Sequence, residues 1–335
     1  MTPRGKRLFA AFAAAVLLAL TGVAPASAAG PDEALALVPP DVGSVGVIRL
    51  DDLRASPFAA RLFSETDELA TDGDAAKFLA ETGLRPRQDV DVVVVAGLAG
   101  NRIHGPEDGL VIFQGRFDPV RLETAMETRG ATRKSTPDGD YLLLEDAHGS
   151  DNRAAIAVLS PRLIVAGSPG SVTRALAARQ AGGSGFLRGE GLGRQIHRVP
   201  AGASAWAIVD TTRAPFSGGP RRSGDGDAAD ALVGAMKSVT LFVFHATTRG
   251  DSLELSATGI TADDETRGLL ADTLKGVVAA WRLAIHEKAP DMVPILRRFE
   301  IETDREGVTI HGTLPGSFLR KMAEEHEAHR GSGLH

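Results

Sequence analysis

Apolar and polar positions change rhythm along this chain, and the changes mark its elements. Val90 to Gly97, with Val92 to Val95 consecutive, predicts a strand buried on both faces. Gly43 to Leu50 alternates loosely and is rich in Val and Ile, as a strand should be. Gly109 to Gly115 predicts a hairpin partner for the Val90 strand, and further strands are expected at Tyr141 to Glu145, Ala154 to Leu159 and Leu163 to Ala166. Helical spacing then takes over where Asp118-Pro119 supplies a capping carboxylate and a first-turn proline, followed by Val120, Leu122, Ala125 and Met126 as the buried stripe. Pro169 opens another helix. From Pro57 onward, Phe58, Leu62, Phe78 and Leu79 fit a pair of helices interrupted by Thr71-Asp72-Gly73-Asp74.

The same order returns in the second half: strands at 203–210, 239–246 and 252–259, with a short helix near Ala228 to Met236 before the second of them. A helix follows over 262–289, with Leu270, Leu274, Val277, Trp281 and Ile285 in register, Thr261 as its cap and Pro290 as its stop. A final hairpin, Leu296 to Thr303 with Gly307 to Gly312, leads to a helix at Pro315. Two stretches nearly repeat: Gly43 to Phe58 and Gly202 to Phe216 each carry an Asp eight residues after the Gly, then an Arg and a Pro-Phe pair. Gly167 to Val172 is echoed by Gly312 to Phe318. The expectation is α+β: two duplicated modules of mostly antiparallel sheet with helices on one face, related by a pseudo-two-fold axis. The modules cover 29–181 and 199–327, joined by a Gly-rich linker over 182–198 and followed by a disordered tail over 328–335. Whether the two sheets merge is left open by the pattern.

Residues 1–28 have a different grammar: Arg4, Lys6 and Arg7, an apolar run from Leu8 to Leu20, then Ala26-Ser27-Ala28. This predicts a secretory signal peptide cleaved after Ala28, since a run of about 13 residues is short of a membrane span. Export to the periplasm or beyond, with no stable membrane span after cleavage, is the expectation. The chain has no Cys, which removes disulfides, thiolate metal sites and a thiol nucleophile. A formal charge of −6, made more negative by loss of the leader, argues against nucleic acid as a partner.

Each candidate for chemistry meets a plainer explanation. Ser184 lies in Gly182-Gly183-Ser184-Gly185, but Phe186 breaks the Gly-x-Ser-x-Gly pattern of a hydrolase. Ser171 and Ser317 fit first-turn helix positions. Asp225-Gly226-Asp227 lacks the Glu at the twelfth position of a calcium loop, where Met236 stands. Asp263-Asp264-Glu265 suits the positive end of a helix. His326 and His329 are spaced to share a helical face, yet the sequence shows no third ligand, so they predict a polar tail. Gly189-x-Gly191-x-Gly193 has neither the strand nor the Lys of a nucleotide loop. His104, His148, His245 and His311 are isolated in sequence. Asp51 and Asp210, at equivalent strand ends, are the candidate cleft residues between modules; the plainer reading has each capping the turn that follows. No catalytic residue, cofactor or metal is predicted.

The Val38-Pro39-Pro40-Asp41 opening, the strand ending in Asp51, the Gly115-Arg116-Phe117-Asp118 turn and the Leu163 to Ser168 strand resemble those of uncharacterised secreted bacterial proteins with tandem α+β modules, a domain of unknown function. The resemblance implies architecture and export and carries no activity. The expected role is therefore a non-catalytic binding or structural protein that engages an unknown protein or small ligand through the sheet surface or the cleft between modules. A secreted hydrolase with an unrecognised site and an apolar-ligand carrier, lidded by the helix over 262–289, are the alternatives.

Overall fold

The computed structural model describes residues 31–54, 73–98, 109–144, 153–183, 185–213, 237–288, 293–318 and 320. The signal segment, Pro57 and the helix after it, His104, His148, Ser184, the 217–236 region and the His326/His329 tail lie outside these residues. The elements in chain order begin with α1 (Asp32–Leu35), β1 (Val42–Arg49), α2 (Leu50–Arg54), α3 (Gly73–Thr82), α4 (Pro86–Asp89), β2 (Val90–Leu98) and β3 (Gly109–Gly115). They continue with α5 (Pro119–Thr128), β4 (Thr132–Thr136), β5 (Gly139–Leu144), β6 (Ala154–Ser160), β7 (Leu163–Gly167), α6 (Pro169–Gln180) and a 3-10 helix (Gly191–Arg198). The second half supplies β8 (Ala205–Asp210), β9 (Val239–Arg249), β10 (Ser252–Thr261), α7 (Asp264–Lys288), α8 (Val293–Leu296), β11 (Glu300–Thr303) and β12 (Val308–Pro315).

The twelve strands among the described residues form one antiparallel sheet, ordered β11-β12-β10-β9-β8-β1-β2-β3-β7-β6-β5-β4. The class is α+β, as the pattern of strand pairs and helices predicts. The question of merging is answered by β1 and β8, which pair from Ser44↔Val209 to Ile48↔Ala205. No cleft separates the halves there; a hydrogen-bonded ladder joins them. Outward from that pair the order is β1-β2-β3-β7-β6 on one side and β8-β9-β10-β12-β11 on the other, while β5 and β4 have no counterparts among the described residues.

Helices do not keep to one face. In the first half one face carries Val92, Val94, Leu110, Ile112 and Val165 beneath α1, α6, Phe186 and Leu192. The other carries Val93, Phe113, Ile156 and Ile164 beneath α3 and α5, through Phe78, Leu122, Ala125 and Met126. The cause is visible in β2, where consecutive valines are apolar on both sides of the pleat and each side needs cover. Val95, 41% exposed, is the exception in that run. In the second half α7 packs Leu270 and Ala271 directly on Val239 and Val308. That direct contact places a filled core, not a carrier's chamber, under the first turns of the helix.

Local expectations meet specific outcomes. Asp118 caps α5 by accepting from the Arg121 amide at 3.1 Å, while Val120 of the expected stripe is 74% exposed. The cap of α7 is Asp263, which accepts from the Thr266 amide at 2.7 Å; Thr261 instead donates to the Asp263 carbonyl. Part of the expected linker is packed: Phe186 is fully buried, and the 3-10 helix lies against β1 and β8. Gly193 permits this, because a Cβ there would strike the Phe186 carbonyl oxygen.

Candidate functional site

Asp51 and Asp210 lie apart. The antiparallel β1–β8 register puts the end of one strand beside the start of the other, so the two carboxylates sit at opposite ends of the ladder, roughly 25 Å apart at about 3.3 Å per residue. Asp210 does what the plainer reading expects, accepting from the Thr212 amide at 3.0 Å and from its hydroxyl at 2.5 Å. Asp51 does not cap: both its carboxylate oxygens are shielded from solvent without a hydrogen-bond partner among the described residues. Beside it, burial raises the Asp52 pKa above the usual carboxylate range, the nearby Arg49 opposes that rise, and the charge of Asp51 adds to it.

Ion pairs lead from this end of β1 to a cleft. Arg54, only 6% exposed, donates from Nη1 to Asp91 Oδ1 at 2.7 Å. The other oxygen of Asp91 faces Arg116 Nη1 at 3.5 Å. Arg116 also donates to the Gln88 carbonyl, and its own amide donates to the Asp89 carbonyl at 2.6 Å. Arg116 lines a cleft of about 620 Å³ with Leu84, Asp89, Asp91, Arg121 and Arg162 among its walls. That volume is in the range of sites that hold a small molecule.

The cleft is built by a turn with little freedom. β3 ends at Gly115, whose amide donates to the Arg162 carbonyl at 2.9 Å, and Phe117 donates to Pro161 at 2.8 Å. These bonds fasten the turn to the β6–β7 corner. A Cβ on Gly115 would collide with the Asp89 carbonyl oxygen, so only glycine lets β3 pass this close to the end of α4. The chain then enters α5 at the Asp118 cap, and Arg121 faces the cleft one turn later.

The polar groups of the cleft are unevenly committed. Asp91 uses both oxygens on two guanidinium groups. Asp89 accepts from the Arg85 amide at 2.8 Å and faces its guanidinium at 3.4 Å. Asp118 caps α5 and faces Arg121 Nε at 3.6 Å. Two of the arginines are less occupied: among the described residues the Arg121 guanidinium has only that long contact, and that of Arg162 only one to Glu33 at 3.5 Å. Each guanidinium offers five donors, so the unfilled capacity of the cleft is donor capacity.

A second polar region lies on the other half of the sheet. Register places Trp206, His245, Ser256, His311 and Glu300 in one lateral row across β8, β9, β10, β12 and β11. The next row contains the hydroxyl pair Thr258–Thr309, 2.9 Å apart, and Glu302. Burial lowers the pKa of His245, whose Nδ1 is shielded and unpartnered. His245 and His311, which look isolated in sequence, are thus two strands apart on one face. Their signal was the alternation Thr309-x-His311-x-Thr313 in β12 and Glu300-x-Glu302 in β11, which puts each set on one side of the pleat. The cleft arginines had only the Gly115 to Asp118 turn as a marker.

Other candidates keep structural roles. Ser168 Oγ accepts from the Ser171 amide at 3.2 Å and lies 2.8 Å from its hydroxyl, so both serines serve the start of α6. Among the described residues no helix is long and apolar enough to cross a membrane.

No protein-family model matches the chain, and no curated protein matches it. Among solved structures, TP0453 in crystal form III is similar with a TM-score of 0.45 and 9% identity, over 87% of this chain and 96% of that one. Crystal form I of TP0453 gives 0.42 and 9% over 87% and 96%. Crystal form IV gives 0.41 and 11% over 87% and 94%.

Proposed function

We propose that this is an exported, non-catalytic binding protein, built from two tandem modules, that holds a small acidic molecule in the cleft beside the Gly115 to Asp118 turn. The observation that carries this reading is the imbalance in the cleft: its carboxylates are committed to neighbours, whereas among the described residues Arg121 and Arg162 face it with most of their donors unused. A carboxylate or phosphate supplies the acceptors those donors lack, and such charge-assisted bonds are the strong class. Leu84, Phe117 and Pro161 offer apolar surface for the rest of the ligand. Binding, as opposed to turnover, follows from the same commitment, since Asp89, Asp91 and Asp118 are occupied in holding the backbone and the arginines. Export is supported by the basic, apolar and small-residue order of the first 28 residues. The matched strand order on either side of β1 and β8 supports the tandem modules.

The test is a titration of the mature protein with small dicarboxylates and phosphate esters, followed by backbone amide shifts. Binding should move Gly83, Gly115 to Leu122 and Arg162, and Arg121→Ala and Arg162→Ala should each weaken it by about tenfold or more. Amides that stay in place across the set, or shifts confined to another region, would refute the cleft. N-terminal sequencing of the exported chain should begin at Ala29, and retention in the cytoplasm would remove the export part of the reading.

A further inference from the structure

The edge of the sheet opposite β4 gathers three side chains whose donor atoms could hold a metal ion. Glu300 and Glu302 are two residues apart on β11 and so share a face. The β11–β12 register sets Glu300 opposite His311 and Glu302 opposite Thr309, so His311 has Glu300 directly across from it and Glu302 on the diagonal. One donor atom from each of the three lies within 4.8 Å of the others.

The geometry inside this group is that of ligands more than of a hydrogen bond. His311 Nε2 is 3.4 Å from Glu302 Oε1, yet it makes no hydrogen bond and is shielded from solvent. Two ligands held at about 2.0 to 2.1 Å around a tetrahedral ion stand roughly 3.3 to 3.4 Å apart. Both glutamates are exposed on an edge strand, so their rotatable side chains can close the remaining distance without moving the backbone. With a neutral imidazole the group carries two negative charges, which a divalent cation neutralises.

We propose that Glu300, Glu302 and His311 form a binding site for a divalent transition metal of the zinc type. The imidazole nitrogen argues against calcium and magnesium, which take oxygen ligands, while imidazole with carboxylates suits zinc and its neighbours. Three protein ligands leave a fourth position open toward solvent. His245 lies on the same row but two strands inward, about 9.6 Å at the usual spacing between strands, and is not a ligand.

The experiment is calorimetric titration of the mature protein with zinc chloride, paired with the visible absorption of the cobalt(II) form. One equivalent should bind, and cobalt should give the intense bands of a four-coordinate site. His311→Ala and the pair Glu300→Gln/Glu302→Gln should each weaken binding by more than about a hundredfold, beyond the roughly 10- to 100-fold that loss of an outer-shell partner costs. Thermal melting keeps folding separate, because Glu300 and Glu302 are exposed on the edge strand and His311 is only half-buried on β12 beside it. His245→Ala and the pair His326→Ala/His329→Ala should bind as the parent does. Three results overturn the proposal: no zinc bound up to millimolar concentration, binding that survives His311→Ala, or binding that disappears with the tail histidines.

Discussion

The two halves of the sheet use one strand order with different cover. β2, β3 and β7 are enclosed between helices on both faces, and their sequences are close to continuous apolar runs. β10 reads Ser252-Leu-Glu-Leu-Ser-Ala-Thr-Gly-Ile-Thr261: Leu253, Leu255, Ala257 and Gly259 take the side of α7, and Glu254, Ser256 and Thr258 take the other. Cover follows composition. Apolar area on both faces must leave water, whereas a polar face gains little from a second layer. The enclosed half can therefore hold a cleft in fixed geometry between sheet and helix, and the half covered on one side is free to display side chains.

Glycine substitution should break the comparison most strongly. Gly115→Ala forces β3 away from α4 and should cost about 3 kcal/mol or more, as overpacking at a fixed backbone contact does. Denaturant unfolding reads this cost, and ligand binding in the cleft should fail with it. In the other half, Gly268 on the exposed side of α7 has nothing within 4 Å of an added Cβ. Gly268→Ala should stabilise by about 0.5 to 1 kcal/mol, the difference in helix propensity. Equal effects at the two sites would mean that the enclosed half is not the rigid one.

A smaller contrast tests the two layers themselves. Leu110 is fully buried on the face under α1 and α6, so Leu110→Ala should cost about 2 to 5 kcal/mol. Ser256, in the middle of the polar row, should tolerate Ala within about 0.5 kcal/mol. A large loss at Ser256, measured by the same unfolding curves, would show that something covers that face.

How far the sequence foretells this molecule depends on range. Local signals translate well: the Asp118-Pro119 cap, the buried valines of β2, and the Pro169 helix with Ser168 at its head are settled by a few neighbouring residues. Long-range facts do not. Pairing of β1 with β8 joins residues some 160 positions apart, and nothing in either strand selects that partner over another apolar strand. The cleft draws on 82–91, 115–122 and 161–162, which meet only when β3 and β7 pair. Asp51 shows the same limit in reverse: its repeat with Asp210 is real in sequence, but one is a turn acceptor and the other a buried carboxylate without a bond. The segment with Phe186 looked like a linker because its glycines outnumber its apolar residues, and a single aromatic anchors it.

The finest probe of the half covered on one side is its response to pH at His245. Burial lowers the pKa of this imidazole in the folded protein, below the value near 6.5 that it takes when unfolded. The unfolded chain therefore binds its proton first as pH falls, so the stability this position contributes is complete above about 6.5 and is lost on descending through it. His245 lies between the buried Trp206 on β8 and the half-buried Ser256 on β10 and is itself only half-buried, so screening keeps the effect to about 0.5 kcal/mol or less. Melting the parent and His245→Asn at pH 7.5 and 5.5 isolates it: the variant should lose less stability over that interval. Identical losses would mean that the ring is fully hydrated, and that the polar row is exposed across its whole width instead of being sheltered beside Trp206.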